Sequence, residues 1–174
     1  MSSLVIRPAT LADIPGITAI YAHAVTYGTA SFEIEPPGEQ DMADRFRTLI
    51  DGGFPYLVAE SRSAVRGFAY AGPYRARIAY RYTLENSVYV APDCHRQGIG
   101  RALMDGLVCQ AGARGFRQMI AVIGDSAQAA SIALHRAAGF EMVGTFANVG
   151  FKFGRWLDTV LMQRPLGNGG ATLP

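Results

Sequence analysis

Two stretches of this chain carry residues whose types and spacing could do chemistry. The first is His95-Arg96-Gln97-Gly98-Ile99-Gly100-Arg101, which follows Val88-Tyr89-Val90-Ala91-Pro92. Without a Cβ, Gly98 and Gly100 let main-chain N–H groups approach an anion closely, and the helical pattern that opens there places the positive end of a helix behind them. The chemistry of such a turn is phosphate binding. It is not a dinucleotide loop, because Arg101-Ala102-Leu103 stands where a third glycine is needed and no acidic residue follows at the expected place. Nor is it a nucleoside-triphosphate loop, because Gly-Lys-Ser/Thr is absent. The second stretch, residues 73 to 82, packs three arginines and three tyrosines into ten positions. A guanidinium is a planar fork that fits a carboxylate or phosphonate, and a tyrosine adds a wall with a polar tip. Arg75, Arg77, Ile78, Ala79 and Tyr80 are therefore a candidate site for a small anionic molecule. A solvated loop or a contact between subunits would suit the same composition.

Strands and helices must position these groups. Leu4 to Pro8 reads as a first strand, and Thr10-Leu11-Ala12-Asp13 as an N-cap with its acidic partner three residues on. Ile14, Ile17, Ile20, Tyr21 and Ala24 then recur at helical spacing. Tyr27 to Pro37 has no such period and forms an extended loop, whose Phe32 and Glu33 are candidates for a substrate wall. A second amphipathic helix spans Gly38 to Asp51 through Met42, Phe46, Leu49 and Ile50. Tyr56–Glu60 and Gly67–Ala71 are strands joined by a hairpin-length connection. Thr83 to Val90 is the strand that feeds the glycine turn. Its alternation fails at Asn86-Ser87, which predicts a β-bulge that splays it from its neighbour and leaves main-chain groups free for a ligand. Ile99, Leu103, Leu107 and Ala111 give the buried face of a third helix. Met119–Ile123 is a short central strand, Ala127–Ala138 a fourth helix, and Phe140–Thr145 and Trp156–Gln163 close the sheet.

With 174 residues, 49% of them hydrophobic, the chain fits one domain over residues 1–166, followed by a flexible tail at 167–174. A net charge of +2 with no block of like charge excludes nucleic acid as the expected partner. No apolar run approaches the ~20 residues that span a bilayer, and no secretory leader precedes the first strand. Cys94 and Cys109 lack metal-site or redox-motif spacing and read as free thiols of a reducing cytoplasm, so no metal is expected.

The segment Val88-Tyr89-Val90 followed by His95-Arg96-Gln97-Gly98-Ile99-Gly100 resembles the acyl-CoA loop of the GNAT acetyltransferases, with His95 where Arg or Gln is usual. Four further segments resemble one branch of that family, the phosphinothricin and methionine-sulfone N-acetyltransferases: Thr29–Glu33, Tyr80–Val90, Ser131–Phe140 and Gly150–Asp158. The resemblance implies a GNAT fold: an α/β (α+β) domain with a central mixed, mostly antiparallel sheet of six to seven strands, flanked by about four helices and splayed at the acetyl-CoA site. It also implies acetyl-CoA as donor, acetylation of an amine and a homodimer. Cofactor contacts would come from Val88, Tyr89, Val90, His95, Arg96, Gln97, Gly98, Ile99, Gly100, Arg101, Gln128 and Ser131, with Gln128 standing where the family commonly has Asn.

Attack on a thioester needs a neutral amine, and an α-amine is largely protonated near neutral pH, so a carboxylate must take a proton directly or through water. Glu85, just before the expected bulge, matches the glutamate that is the proposed base in similar enzymes. It could equally pair with Arg75, Arg77 or Arg81. A free N–H near Val88 or Tyr89 would serve the oxyanion. Most of the family has Tyr four residues before Gly-Phe; this chain has His135, an acid for the departing thiolate or an orienting group. The expected acceptor is a small anionic amino acid or analogue, walled by Phe32 and Tyr80 and clamped by Arg75 and Arg77. Two other readings remain: a non-catalytic acyl-CoA-binding sensor, and an acetyltransferase acting on a protein N-terminus or lysine.

Overall fold

The computed structural model describes residues 4–174; the first three residues of the expected domain lie outside it. The described residues form seven strands, β1 (Val5–Pro8), β2 (Tyr56–Ser61), β3 (Ala64–Pro73), β4 (Thr83–Val90), β5 (Gln118–Gly124), β6 (Glu141–Lys152) and β7 (Arg155–Pro165). The helices are α1 (Ile14–Tyr27), α2 (Glu39–Asp51), α3 (Ile99–Ala113) and α4 (Ala129–Ala137). Across the sheet the order is β1-β2-β3-β4-β5-β7-β6, and only β4 and β5 run parallel. This is the mixed, mostly antiparallel architecture expected from the sequence.

Local chemistry explains the elements. Thr10 donates its N–H and its hydroxyl to Asp13 at 2.8 and 3.0 Å, and Arg7 forks onto the same carboxylate, so the chain turns once in a 3-10 turn before α1 begins. The buried stripe of α1 is Ile14, Ile17, Ile20, Tyr21 and Val25, with Ala24 only half-buried. On α2, Met42 and Phe46 are buried, whereas Ile50, expected on the same face, is 42% exposed. Leu49 takes the last place on that stripe, against Gly72 of β3. α1 packs on one face of the sheet and α3 on the other, where Leu57, Leu84, Leu103, Met104, Leu107 and Met119 lie in the fully buried core.

Several boundaries differ from expectation. β2 and β3 continue to a two-residue turn at Arg62-Ser63, both left-handed at φ 53 and 58°, the twist a tight hairpin requires. β6 runs on to Lys152 rather than stopping at Thr145. A register shift between Phe146 and Gly150 and a left-handed Asn148 break the alternation that would have revealed it. α4 starts at Ala129 because Asp125 turns the chain at φ 69° and takes the Ala127 N–H on its carboxylate. Residues 167–174 form turns without a regular element, with Arg117 donating to the Thr172 hydroxyl and the Leu173 carbonyl.

The bulge expected at Asn86-Ser87 is not there. β4 pairs with β3 in unbroken register from Leu84 opposite Pro73 to Val90 opposite Gly67. The strand parts from its other neighbour instead. The β4–β5 ladder holds from Thr83 opposite Gln118 to Asn86 opposite Ala121 and ends, although β4 continues to Val90 and β5 to Gly124. The two polar residues mark the end of the β4–β5 ladder and not an extra main-chain residue.

Candidate active site

On the α3/α4 side of the sheet the glycine turn is made of outward-facing main chain. Gly98 is the N-cap of α3 at φ 79°, a conformation that costs an L side chain about 1–2 kcal/mol. The first helical bond runs from Ala102 N to Gly98 O at 3.0 Å, which leaves the amides of Ile99, Gly100 and Arg101 without an intrahelical acceptor. A Cβ on Gly100 would stand 3.3 Å from Leu134 and 3.6 Å from Val90, so α4 and β4 close tightly around that residue. The neighbouring side chains brace this turn. His95 Nε2 donates to Val90 O at 3.1 Å and Gln97 to Asp93 O at 3.2 Å, while Arg101 is spent on Asp105 and on Ala137 O. Arg101 therefore offers the turn its amide and not its guanidinium. A groove of about 580 Å³ runs from this turn past Val88, Tyr89 and Val90 to Gln128 and Ser131. Its dimensions and its free amides fit a long thin ligand with a diphosphate at one end.

At the end of the β4–β5 ladder the groove meets a small cleft lined by Ser87, Val88, Tyr89, Ala121, Ser131 and His135. His135 is buried at 3% exposure and each ring nitrogen faces an oxygen, Nδ1 that of the Ser131 carbonyl at 2.8 Å and Nε2 that of the Asn86 amide at 2.9 Å; a neutral ring donates to one of the two and an imidazolium to both. Burial pushes its pKa down, and the Ser131 carbonyl opposes this. Successive strand residues point to opposite faces, so Asn86 and His135 lie on the α3/α4 side and Glu85 on the α1/α2 side. The two expected catalytic residues straddle the sheet at the point where its strands part.

Glu85 is half-buried, and among the described residues its carboxylate makes no hydrogen bond or ion pair. Burial raises its pKa; the charge of Arg75 pulls it back. Of the arginines considered as partners, Arg75 is the one whose field reaches it. Arg75 stacks over Tyr74, whose ring meets Tyr80 edge-on at 5.6 Å, while Arg77, Ile78 and Ala79 are exposed in the same loop. Arg75, Tyr74 and Tyr80 thus form one cluster, and Arg75 is its member whose charge reaches Glu85. Further in, Tyr70, bonded to Ser87, lines a cavity of about 570 Å³ with Tyr21, Arg45, Leu49 and Tyr56.

Phe32 and Glu33 take different roles. The Phe32 ring lies so close to Gly124 and Gly150 that a Cβ on either would collide with it, wedging the ring between the tip of β5 and β6. Glu33 is not free for substrate. Arg45 holds both its oxygens, at 2.6 and 3.3 Å, and the Tyr21 hydroxyl, whose pKa burial lifts to about 12, donates to it at 2.9 Å.

Behind this wall lie two polar residues not singled out as site residues from the sequence, Lys152 and Asp125, and one that was, Gln128. Lys152, buried at 3%, donates to Val25 O and Ser31 O at 2.8 Å each. Asp125, buried at 5%, accepts from Thr29 at 2.8 Å and from Arg155 at 2.7 Å. Gln128 donates to the same Thr29 hydroxyl at 2.9 Å, so its amide braces the loop as well as lining the groove. Lys152 stood out only as part of a C-terminal signature. Asp125 read as a turn residue, because nothing local announces a partner 96 positions away. No cluster of potential metal ligands occurs among the described residues.

The sequence matches the Acetyltransferase (GNAT) domain family over residues 6–161. It is 55% identical over 162 residues to the phosphinothricin N-acetyltransferase of Alcaligenes faecalis, covering 93% of this chain and 82% of that one. It is 44% identical over 162 residues to the L-methionine sulfoximine/L-methionine sulfone acetyltransferase of Pseudomonas aeruginosa, covering 91% and 92%. The crystal structure of a GNAT superfamily phosphinothricin acetyltransferase from Sinorhizobium meliloti in complex with AcCoA superposes with a TM-score of 0.95 at 52% identity, covering 98% of this chain and 92% of that one. A chain matched by the GNAT family over residues 6–161 and this similar in sequence and fold to these proteins belongs to the GNAT acetyltransferases and is an acyltransferase of the phosphinothricin and methionine-sulfone branch.

Proposed function

We propose that this protein transfers the acetyl group of acetyl-CoA to the α-amine of a small amino acid or analogue of the phosphinothricin, methionine sulfone or methionine sulfoximine type. The observation that carries this reading is the placement of Glu85: a half-buried carboxylate, without a hydrogen bond or ion pair among the described residues, one rung before the β4–β5 ladder ends and within the field of Arg75, which stacks on Tyr74 beside Tyr80. Acetyl-CoA supplies the thioester. The amides at Gly98 to Arg101 hold its diphosphate, and the edge of β4 freed beyond Asn86 accompanies its amide-bearing arm as an added strand would. Glu85 takes the proton from the ammonium, directly or through one water, and a free β4 N–H between Ser87 and Val90 donates to the acetyl oxygen as negative charge develops there. Each His135 nitrogen faces a protein oxygen, Ser131 O or Asn86 Oδ1, which favours an orienting part over that of proton donor.

Two accompanying readings rest on other observations. The edge strand β6 exposes Val143, Phe146, Val149 and Phe151, each more than half accessible, with Trp156 beside them. A second copy of the chain covering that face would give the homodimer implied by the resemblance. Free Cys94 and Cys109, together with the absence among the described residues of any helix long and apolar enough to cross a membrane, suit a cytoplasmic enzyme.

The deciding experiment is a thiol-detecting assay of CoA release with methionine sulfone, methionine sulfoximine and phosphinothricin as acceptors. Saturable release with at least one is the expected result. Release with none, from protein that binds CoA, would return the assignment to a sensor or to a macromolecular acceptor.

A further inference from the structure

Asn86 is a buried polar residue that the reaction as set out above does not use. It sits at 6% exposure on the last rung of the β4–β5 ladder, and its side chain is engaged at both ends. The amide nitrogen donates across to Ile120 O of β5 at 3.0 Å; the amide oxygen faces His135 Nε2 of α4 at 2.9 Å. One short side chain thus joins three elements at the place where pairing stops. Beyond it the strands diverge and the small cleft opens. His135 is fixed from the other side by Ser131 O one helical turn away and packs edge-on against Phe140 at 5.1 Å.

We infer that Asn86 is a positioning residue for acyl transfer: its bridge to Ile120 O and His135 sets where β4 and β5 part, and so the depth at which a thioester enters the cleft. The inference rests on the function proposed above and extends it to a residue outside the reacting groups. An apolar residue at 86 leaves a buried carbonyl on β5 without its donor and a buried imidazole nitrogen on α4 without its polar neighbour, and both relax toward whatever polar group can reach them. The ladder then either zips one rung further or loosens. In both cases the thioester moves relative to the free β4 amide and to Glu85, and a displacement of about 1 Å costs on the order of 100-fold in rate. An aspartate separates the two contacts, because it still accepts from His135 but cannot donate to Ile120 O.

The test measures CoA affinity by calorimetry, and kcat and the KM of each substrate, for Asn86→Leu, Asn86→Asp, His135→Leu and the Asn86→Leu/His135→Leu double variant. The expected result is at least a tenfold rise in CoA Kd and a tenfold fall in kcat for Asn86→Leu, with acceptor KM within twofold of the parent. Asn86→Asp should fall as far as Asn86→Leu. The double variant should be no worse than the worse single one, because both residues act as one unit. The basic limb of the pH–rate profile should persist in His135→Leu, since an orienting residue does not donate the proton. Kd and kcat within twofold of the parent in Asn86→Leu would overturn the inference. So would additive losses in the double variant, or a basic limb lost in His135→Leu and kept in Asn86→Leu. Should Asn86→Leu fail to fold, Asn86→Asp decides alone: unchanged Kd and kcat there refute the strand bridge. A parent that binds CoA but acetylates none of the acceptors would sink the proposed function and leave the affinity arm to judge Asn86. A parent that does not bind CoA would sink both.

Discussion

The two sides of the β4–β5 gap are built in different ways. On the α3/α4 side the groove takes its phosphate-facing end from one run of chain, residues 88 to 101, with α1 and α4 supplying the opposite walls, and its working parts are main-chain amides held outward by Gly98 and braced by His95, Gln97 and Arg101. On the α1/α2 side the pocket is assembled from distant segments. Thr29 meets Asp125 across 96 positions, and Lys152 reaches Ser31 across 121. A site of main chain depends on conformation, and most side-chain changes in it are tolerated. A site of distant side chains depends on each long-range contact, so a change far from substrate can move a wall. Substitutions on the acceptor side should therefore alter acceptor kinetics and spare CoA affinity, whereas those on the glycine turn should do the reverse.

The largest expected effect comes from Glu85→Gln, which keeps shape and removes the base. General-base catalysis is worth roughly 10²–10⁴-fold, so kcat should fall by that factor while CoA affinity by calorimetry stays put. A variant that retained more than a tenth of the parent kcat would place the base elsewhere. Next comes Gly150→Ala. Its methyl collides with the Phe32 ring, which must leave its slot beside Gly124. Acceptor KM should rise about tenfold if the displaced ring costs ~1.4 kcal/mol of acceptor binding, with acetyl-CoA KM within twofold. Equal changes in both would show that the two sides are not separate. Gly98→Ala is the mirror experiment. The strain of a left-handed alanine, about 1–2 kcal/mol, should weaken CoA by roughly five- to thirtyfold and leave acceptor KM alone.

This division also explains what the sequence disclosed. The glycine turn was legible because residues 98 and 100 lie two apart and their consequence, free amides at a helix start, is local. The four helices and the places of the strands along the chain followed from periodicity and capping, as at Thr10 and Asp13. Asn86-Ser87 was correctly noticed as an interruption and wrongly given a local cause. Its meaning lay in Ile120 and His135, 34 and 49 positions away. Glu33 was read as a substrate residue because a carboxylate in a loop advertises charge but not its partner; Arg45 had already claimed it. Asp125 and Lys152 were illegible as site residues for the same reason, since their partners, Thr29 and Arg155 for the one and the Val25 and Ser31 carbonyls for the other, lie 30 to 127 positions away. The end of β6 was hidden by its own bulge.

A smaller effect is expected at Lys152→Met. The methionine keeps the apolar stem and removes the ammonium, leaving Val25 O and Ser31 O without their donor at a cost of about 1–3 kcal/mol each. Burial disfavours the ammonium and pulls its pKa down, and removing that charge offsets part of the loss. The net result should be a melting temperature lower by several degrees and a several-fold rise in acceptor KM, with CoA affinity preserved. A change in stability alone would mean that the lysine fixes the fold and not the wall.

The smallest and most specific effect lies in the pH dependence set by Arg75. Burial raises the pKa of Glu85 and the nearby guanidinium opposes it, so Arg75→Met removes the opposing influence and the pKa rises further. Because the base works ionised, kcat/KM falls as pH drops through that pKa. A higher pKa therefore moves the acidic limb of the profile to higher pH, and activity in the variant should be lost sooner on acidification. The same guanidinium is an expected clamp for an anionic acceptor, so its loss should also raise acceptor KM at every pH. The two effects separate cleanly: kcat at saturating acceptor reports the limb, and the plateau of kcat/KM reports the clamp. An acidic limb unmoved in kcat while acceptor KM rises would leave Arg75 as a clamp only and would detach Glu85 from the Arg75 cluster, whereas a shift toward lower pH would contradict the sign of the interaction and, with it, the identification of Glu85 as the titrating base.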